Sequence, residues 1–169
     1  MPWSAEELRE RVGQRLGDAA TAIRVELGDT LVEVPGARIV EVMRGLRDDE
    51  ALDFQMLVDL TAVDRSALAR GGDAPRFEIV YQLFSLEKRH RLRVKAAVAS
   101  EPPEIDSVVS VWPAANWMER EVWDLYGIRI AGHPDLRRIL LCEEFEGHPL
   151  RKDFPKRGLQ PSSAAGEGD

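Results

Sequence analysis

The sequence predicts a domain of the α+β class from three observations. Apolar residues recur at helical spacing in two early segments, they alternate with polar residues in a long central pair of segments, and a third helical segment follows. This order of elements is typical of helices packed on a sheet. The chain of 169 residues is long enough for one domain with its own core. We expect that domain to span 1-155 and to precede a disordered tail, 156-169.

Two helices and a hairpin are predicted in the first fifty residues. A capping box at residues 4–7 precedes apolar residues spaced four apart, which predicts a helix over 5–20. Residues 23–27 and 31–34 alternate on either side of a Gly-Asp turn, which predicts a hairpin. A second amphipathic helix is predicted over 39–47.

The middle of the chain predicts three strands. Residues 54–64 are mostly apolar and rich in β-forming side chains, as expected of a strand inside a sheet with both faces partly covered. Residues 77–84 and 89–98 alternate strictly and predict a long hairpin after a loop over 66–75. The pattern favours a solvated outer face over a partner-binding stripe for the four cations of this hairpin. These cations are Arg89, Arg91, Arg93 and Lys95.

A third helix is predicted from a cap at Asn116 to Tyr126, where Gly127 can end it. Glu119 and Glu121 would point about 200° apart on this helix, so they cannot converge as a catalytic acid and base. The periodicity predicts a core-facing stripe of Met118, Val122 and Leu125, a second face with Trp117, Glu121 and Asp124, and a pair between Arg120 and Asp124.

A Gly-His-Pro tripeptide occurs twice after this helix, at Gly132 and at Gly147. Glycine and proline around a histidine predict a rigid turn, and each copy is followed by a leucine and two cations. Short strands are predicted at 128–130 and 138–141. The leucines would fill apolar pockets and the cations would bind carboxylates or carbonyls.

The stretch over 117–155 resembles the signature of the C subunit of the proton-pumping NADH-quinone oxidoreductase, respiratory complex I. The resemblance lies in E-R-E at 119–121, in G-H-P-x-L-R-R-I-L from Gly132, and in G-H-P-L-R-K-D-F-P from Gly147. The segment FQMLVDLTAVD is similar to the block L-x-D-L-T-A-V-D of the same family. The continuation G-Y-x-E-x-R-Y that the family leads us to expect is absent from the tail.

The resemblance implies a mixed, largely antiparallel sheet with helices mainly on one face and an extended C-terminal segment. It also implies a non-catalytic scaffold subunit of the peripheral arm, in a complex that transfers electrons from NADH to quinone and pumps protons. Its partners would be subunits D, B and I, and the complex would lie on the cytoplasmic side of the inner membrane. FMN, iron-sulfur clusters and quinone would be held by other subunits, with no cofactor in this chain. The equivalent subunit of a related membrane-bound hydrogenase or of an other-donor dehydrogenase is an alternative.

The signature residues are predicted to form the contact surface with these partners. An open alternative is that the arginines pair internally with acidic residues of the same chain. On the first interpretation, replacing Arg138 or Arg151 would impair assembly more than folding. The predicted surface comprises Trp117, Glu119, Arg120, Glu121, Asp124, His133, Pro134, Leu136, Arg137, Arg138, Gly147, His148, Pro149, Leu150, Arg151, Lys152, Asp153, Phe154 and Pro155.

Other functions find little support in the residues. One cysteine, Cys142, cannot form an internal disulfide or supply the four thiolates of an iron-sulfur cluster, and a lone cysteine is usually buried packing. A metal-dependent hydrolase using His133, Glu143 and His148 is an alternative of another class, although the spacing is not typical of a metal site. A net charge of −7 argues against nucleic acid. The longest uncharged run has 12 residues, which is short of the roughly twenty that span a bilayer, and no leader is visible.

Overall fold

The computed structural model describes residues 3–66, 75–99 and 101–158. Most of the predicted loop over 66–75 and of the predicted disordered tail, 156-169, lies outside the described residues. None of the described helices is long and apolar enough to cross a membrane.

The three predicted helices are present. Helix α1 is Ala5–Leu16, α2 is Ile39–Asp48 and α3 is Ala115–Tyr126. The capping box of α1 is confirmed, because the Ser4 hydroxyl accepts the Glu7 N–H at 3.3 Å and the Glu7 carboxylate accepts the Ser4 N–H at 2.8 Å. The helix ends four residues earlier than predicted, since Gly17 leaves helical geometry at φ +53°.

Five strands form the main sheet, in the spatial order β1-β2-β5-β4-β3. The pairing of β2 with β5 is parallel and the other three pairings are antiparallel, so the predicted mixed, largely antiparallel sheet is confirmed. The strands are β1 Ala22–Glu26, β2 Asp29–Pro35, β3 Met56–Asp64, β4 Phe77–Phe84 and β5 Arg91–Val98, with a separate parallel pair of β6 Glu104–Asp106 and β7 Arg129–Ala131.

One face of the sheet packs against the helices in a single core. Alternate residues of β4, such as Ile79, Tyr81 and Leu83, are buried there with apolar residues of all three helices. Helix α3 also packs against β3 at the sheet edge. The alternation of apolar and polar residues along the strands places the remaining side chains on the opposite face.

That opposite face, called the outer sheet face below, carries the cations of β5. Its charges pair with acidic residues of neighbouring strands: Arg93 lies 3.5 Å from Asp29, and Lys95 lies 3.9 Å from Glu78. The predicted row of four cations is wrong at one position, because Arg89 precedes β5 in a turn with φ +56°. Asp29 is exposed, whereas Glu78 is buried, so the pairing leaves both interpretations of this face open.

Candidate functional site

Residues 132–158 form neither helix nor strand, although the structure describes every one of them. This segment, called the belt below, runs from β7 back over α3. The predicted strand at 138–141 is therefore wrong. Backbone N–H and C=O groups need hydrogen-bond partners when they are removed from water. Turns within the belt supply some of them, such as the bond from the Phe145 N–H to the Cys142 carbonyl at 3.1 Å, but other backbone groups of the belt must be bound by side chains. In the belt, charged side chains fill that role.

Asp124 of α3 fixes the centre of the belt. Its side chain is 0% exposed, and its Oδ2 accepts the backbone N–H groups of Ile139, Leu140 and Leu141 at 3.1, 2.9 and 3.0 Å. Its Oδ1 accepts from Arg138 at 2.6 Å. Burial alone would raise the pKa of Asp124, but these donors outweigh it and lower the pKa below its usual value.

Arg120 and Arg138 donate hydrogen bonds to backbone carbonyls of the belt. Arg120 donates to the carbonyls of Arg137 and Arg138 at 3.1 Å each, which replaces the predicted pair between Arg120 and Asp124. Arg138 donates to the Phe145 carbonyl at 2.9 Å in addition to its bond with Asp124. These contacts are internal, so they favour a role in folding for both arginines and oppose the expectation that replacing Arg138 would mainly impair assembly.

The second Gly-His-Pro turn caps the C-terminus of α3. The last four carbonyls of a helix have no partner within it. Each of the four at this end receives a donor, and three of the four donors come from the belt. The pairs are Gly127 N–H to the Trp123 carbonyl at 2.8 Å, His148 Nδ1 to that of Asp124 at 2.9 Å, Leu150 N–H to that of Leu125 at 3.0 Å, and Arg151 Nε to that of Tyr126.

Gly127 makes this close approach possible. Its φ of +68° is left-handed, as predicted for the residue that ends α3. A Cβ at this position would lie 2.3 Å from Cδ2 of His148 and 2.6 Å from Nη2 of Arg151. Glycine is therefore required twice, for its backbone angle and for the space that the belt occupies.

The two histidines of the repeated turns have similar structural roles. His133 Nε2 lies 3.0 Å from the Asn116 carbonyl and must donate to it, while its Nδ1 accepts the Asp135 N–H at 3.0 Å. The ring is therefore neutral, with its proton on Nε2. His148 donates to α3 in the same manner, and burial lowers its pKa. Among the described residues, no three His, Cys, Asp or Glu side chains lie close enough to hold a metal ion.

Asp64, at the end of β3, is an anchor that the sequence analysis did not single out. Its buried carboxylate accepts the Lys152 N–H at 2.9 Å and pairs with Arg76 at 2.8 Å. Arg76 also contacts Asp153 at 2.9 Å. Burial acts to raise the pKa of Asp64, but Arg76 and the backbone donors lower it well below its usual value. The signal for this anchor in the sequence was a charged residue at the end of an apolar strand.

Glu119 lies on the buried side of α3, and Glu121 is exposed, so the two carboxylates diverge as predicted. Glu119 accepts the Ser107 hydroxyl at 2.6 Å and the Val108 N–H at 2.7 Å. Burial raises its pKa to about 7, against the opposing effect of these two donors. The predicted apolar stripe is confirmed only in part, because the residues buried on α3 include charged ones. They are Ala115, Glu119, Arg120, Val122 and Asp124.

The predicted surface residues divide between the interior and solvent. Leu136 packs against the core of this chain. The exposed side chain of Cys142 shows that the interpretation as a buried thiol is wrong. The partly or fully buried members are Glu119, Arg120, Asp124, His133, Leu136, Arg138, His148, Pro149, Arg151 and Phe154. The exposed members are Trp117, Glu121, Pro134, Arg137, Gly147, Leu150, Lys152, Asp153 and Pro155.

Similar proteins share both the sequence and the fold. The C 2 subunit of NADH-quinone oxidoreductase from Rhizobium etli (strain CIAT 652) is 47% identical over 162 residues, which cover 94% of this chain and 83% of the relative. The C subunit of the same enzyme from Azoarcus sp. (strain BH72) is 44% identical over 155 residues, covering 90% and 77%.

Two solved structures resemble this fold. The trypsin-resistant fragment (1-134) of Nqo5 is 32% identical with a TM-score of 0.64, covering 78% of this chain and 98% of the fragment. A chain of the membrane-bound sulfane sulfur reductase, an archaeal respiratory membrane complex, is 23% identical with a TM-score of 0.73, covering 89% and 85%, and it shows the fold alone. The family model of the respiratory-chain NADH dehydrogenase 30 kDa subunit matches residues 32–160, so this chain belongs to that family.

Proposed function

We propose that this chain is a non-catalytic scaffold subunit of the peripheral arm of a proton-translocating NADH-quinone oxidoreductase. Its relatives are named as the C subunit of that enzyme. In this proposal it docks beside subunits D and B, which form the quinone site, and also beside the I subunit. The complex holds it on the cytoplasmic side of the inner membrane.

The way the signature uses its charged side chains is the observation that carries the non-catalytic role. Asp124, Arg120, Arg138 and Arg151 bind backbone groups of their own chain. A catalytic acid or base must instead lie within reach of a substrate proton. The signature therefore builds a rigid shape, which suits a subunit that positions others.

Electron transfer is assigned in this proposal to cofactors of other subunits, namely FMN, iron-sulfur clusters and quinone. Iron-sulfur clusters ordinarily take four cysteine thiolates, and this chain has one cysteine. Both ring nitrogens of His133 are engaged, Nε2 with the Asn116 carbonyl and Nδ1 with the Asp135 N–H, which leaves this histidine no free nitrogen for a metal.

The test is to tag the chain in its own host and to compare membranes with and without it. We expect NADH-quinone reductase activity to co-purify with the tagged chain and to fall at least tenfold in membranes that lack it. The purified chain alone should show neither NADH oxidation nor visible absorption. Unchanged activity in its absence would overturn the proposal. Co-purifying hydrogen oxidation would identify the related hydrogenase, and stoichiometric metal retained after dialysis would favour the hydrolase.

A further inference from the structure

Two leucines of the belt and one tryptophan of α3 project into solvent. Trp117 and Leu140 are each 61% exposed and Leu150 is 46% exposed. The guanidinium of Arg120 lies 4.8 Å from the centre of the Trp117 ring, and it also donates to the belt carbonyl of Arg138. Trp117 is thereby tied to the part of the belt that carries Leu140.

The backbone beneath both leucines is held in place. The Leu140 N–H donates to Asp124 at 2.9 Å and the Leu150 N–H donates to the Leu125 carbonyl at 3.0 Å, so adjacent residues of α3 hold them. Apolar side chains on a fixed backbone lose little conformational freedom when they are covered, which favours binding. A tryptophan is typical of the centre of a protein interface, and the buried core of an interface is more apolar than the rest of the protein surface.

Three acidic side chains lie between these leucines in the sequence. Glu143, Glu144 and Glu146 are exposed, and their side chains make no ion pair or hydrogen bond with any residue in the described part of the chain. The outer sheet face differs, because Asp29 and Glu78 there have cationic partners. The belt therefore presents carboxylates whose charge the described chain leaves uncompensated.

We infer that Trp117, Leu140 and Leu150, with the acidic segment 143–146, form a docking surface for another protein subunit. The surface of that subunit combines apolar side chains with lysine or arginine residues. Charge complementarity favours a cationic protein surface as the partner, because three carboxylates would repel an anionic lipid or a nucleic acid. The inference rests on the proposed function and assigns the contact to the exposed side of the belt rather than to its buried arginines.

The test compares matched substitutions in the full chain, expressed in its own host. Leu140→Ser and the double variant Glu143→Lys/Glu144→Lys change the proposed surface. Leu86→Ser is the apolar control, because Leu86 is also 61% exposed, and Glu10→Lys/Glu50→Lys is the charge control. We measure how much NADH-quinone oxidoreductase each tagged chain recovers, together with the melting temperature of each purified chain.

Both belt variants should recover at least tenfold less complex than the unsubstituted chain, with melting temperatures close to it, and both controls should recover it normally. Undiminished recovery by both belt variants overturns the docking surface while leaving the proposed function in place. No recovery by the unsubstituted chain overturns the proposed function and this inference with it. A stable homodimer of the purified chain that Leu140→Ser abolishes overturns the inference by making a second copy the occupant. If Leu140→Ser fails to fold, the charge variant alone decides by the same comparison.

Discussion

The belt and the outer sheet face both contain paired acidic and cationic side chains, and the central belt pair of Asp124 and Arg138 is buried more deeply than the sheet pair of Asp29 and Arg93. In the belt contact, the side chains of Asp124 and Arg138 are 0% and 17% exposed. On the outer sheet face, those of Asp29 and Arg93 are 55% and 35% exposed. Water already solvates the second pair, so its attraction contributes little, whereas loss of one partner of the first pair leaves a charge without solvent.

The belt pairs have a further task that the sheet pairs lack. Strands satisfy their backbone groups in the ladder, so a charged side chain on a sheet can be dispensable. The belt has no ladder, and Asp124 alone accepts three consecutive N–H groups from residues 139–141. The inward-facing charges of such a motif can thus hold its own backbone in place, which leaves only the outward-facing side chains to contact another protein.

Replacing Asp124 should give the largest loss of stability. Asp124→Ala removes the acceptor for three backbone groups and leaves Arg138 unpaired, so we expect the free energy of unfolding to fall by about 3–5 kcal/mol. Asp29→Ala on the outer sheet face is the control and should cost under about 1 kcal/mol. Urea denaturation of the purified chain measures both. Similar losses in the two variants would contradict the comparison.

Arg138→Ala should come next, with a loss of about 2–4 kcal/mol, because the Asp124 carboxylate and the Phe145 carbonyl would each lose a donor. Arg93→Ala removes an exposed partner and should cost under about 0.5 kcal/mol. Thermal melting followed by circular dichroism separates the two. An unchanged melting temperature for Arg138→Ala together with loss of the complex would restore the interpretation that this arginine faces a partner.

The next effect concerns the space beside a glycine backbone, which an added Cβ would fill, rather than charge. Gly127 and Gly132 both have left-handed φ, at +68° and +74°, but a Cβ at Gly132 would meet nothing within 4 Å. Gly132→Ala should therefore cost about 1 kcal/mol, for the backbone angle alone. Gly127→Ala must also displace His148 and should cost about 2–3 kcal/mol. The NMR signals of the His148 ring should shift only in Gly127→Ala. Equal costs would mean that the belt moves freely away from α3.

Local patterns in the sequence were sufficient for most of the fold. The capping box at residue 4, the alternation of β4 and β5 and the glycine after α3 each act within a few residues, and each gives a recognisable spacing. The parallel pairing of β2 with β5 does not follow from periodicity, because it joins strands about sixty residues apart. The resemblance to a known family supplied the mixed character of the sheet.

The anchors of the belt could not be predicted from such patterns. Lys152 donates to Asp64 across 88 positions, and Asp124 accepts from residues 15 to 17 positions away. No short-range rule distinguishes such a carboxylate from a solvated one. The periodicity of α3 placed Asp124 on a face with Trp117 and Glu121, which are both exposed, and gave no sign that the belt covers Asp124. Burial of a charge on a helix becomes predictable only when the segment that covers it is known.

The last effect that we predict depends on pH and concerns Glu119. Burial raises its pKa to about 7 in the folded chain, from 4.5, so the folded state holds this proton at a pH where the unfolded state has released it. The resulting stabilisation is complete below about pH 4.5 and is lost as the pH rises towards 7. On the order of 2–3 kcal/mol is at stake across that range, and Glu119→Gln should remove this dependence.

His90 and His148 titrate near the same range, so the difference between Glu119→Gln and the unsubstituted chain is the quantity to measure. The Glu119 carboxylate lies 3.9 Å from Nε2 of His133, and its charge also acts on the buried Tyr81. Burial lowers the pKa values of His90 and His148, which gives stability that is lost as the pH falls, the opposite sign to Glu119.

Urea denaturation at pH 5, 6, 7 and 8 measures the free energy of unfolding of both chains. The difference between the two values should change with pH up to about pH 7 and flatten above it. Parallel curves across the series would mean that Glu119 is already ionised in the fold at pH 5. The hydrogen bonds to Ser107 and Val108 would then lower the pKa of Glu119 by more than burial raises it, as the donors to Asp124 do for that carboxylate.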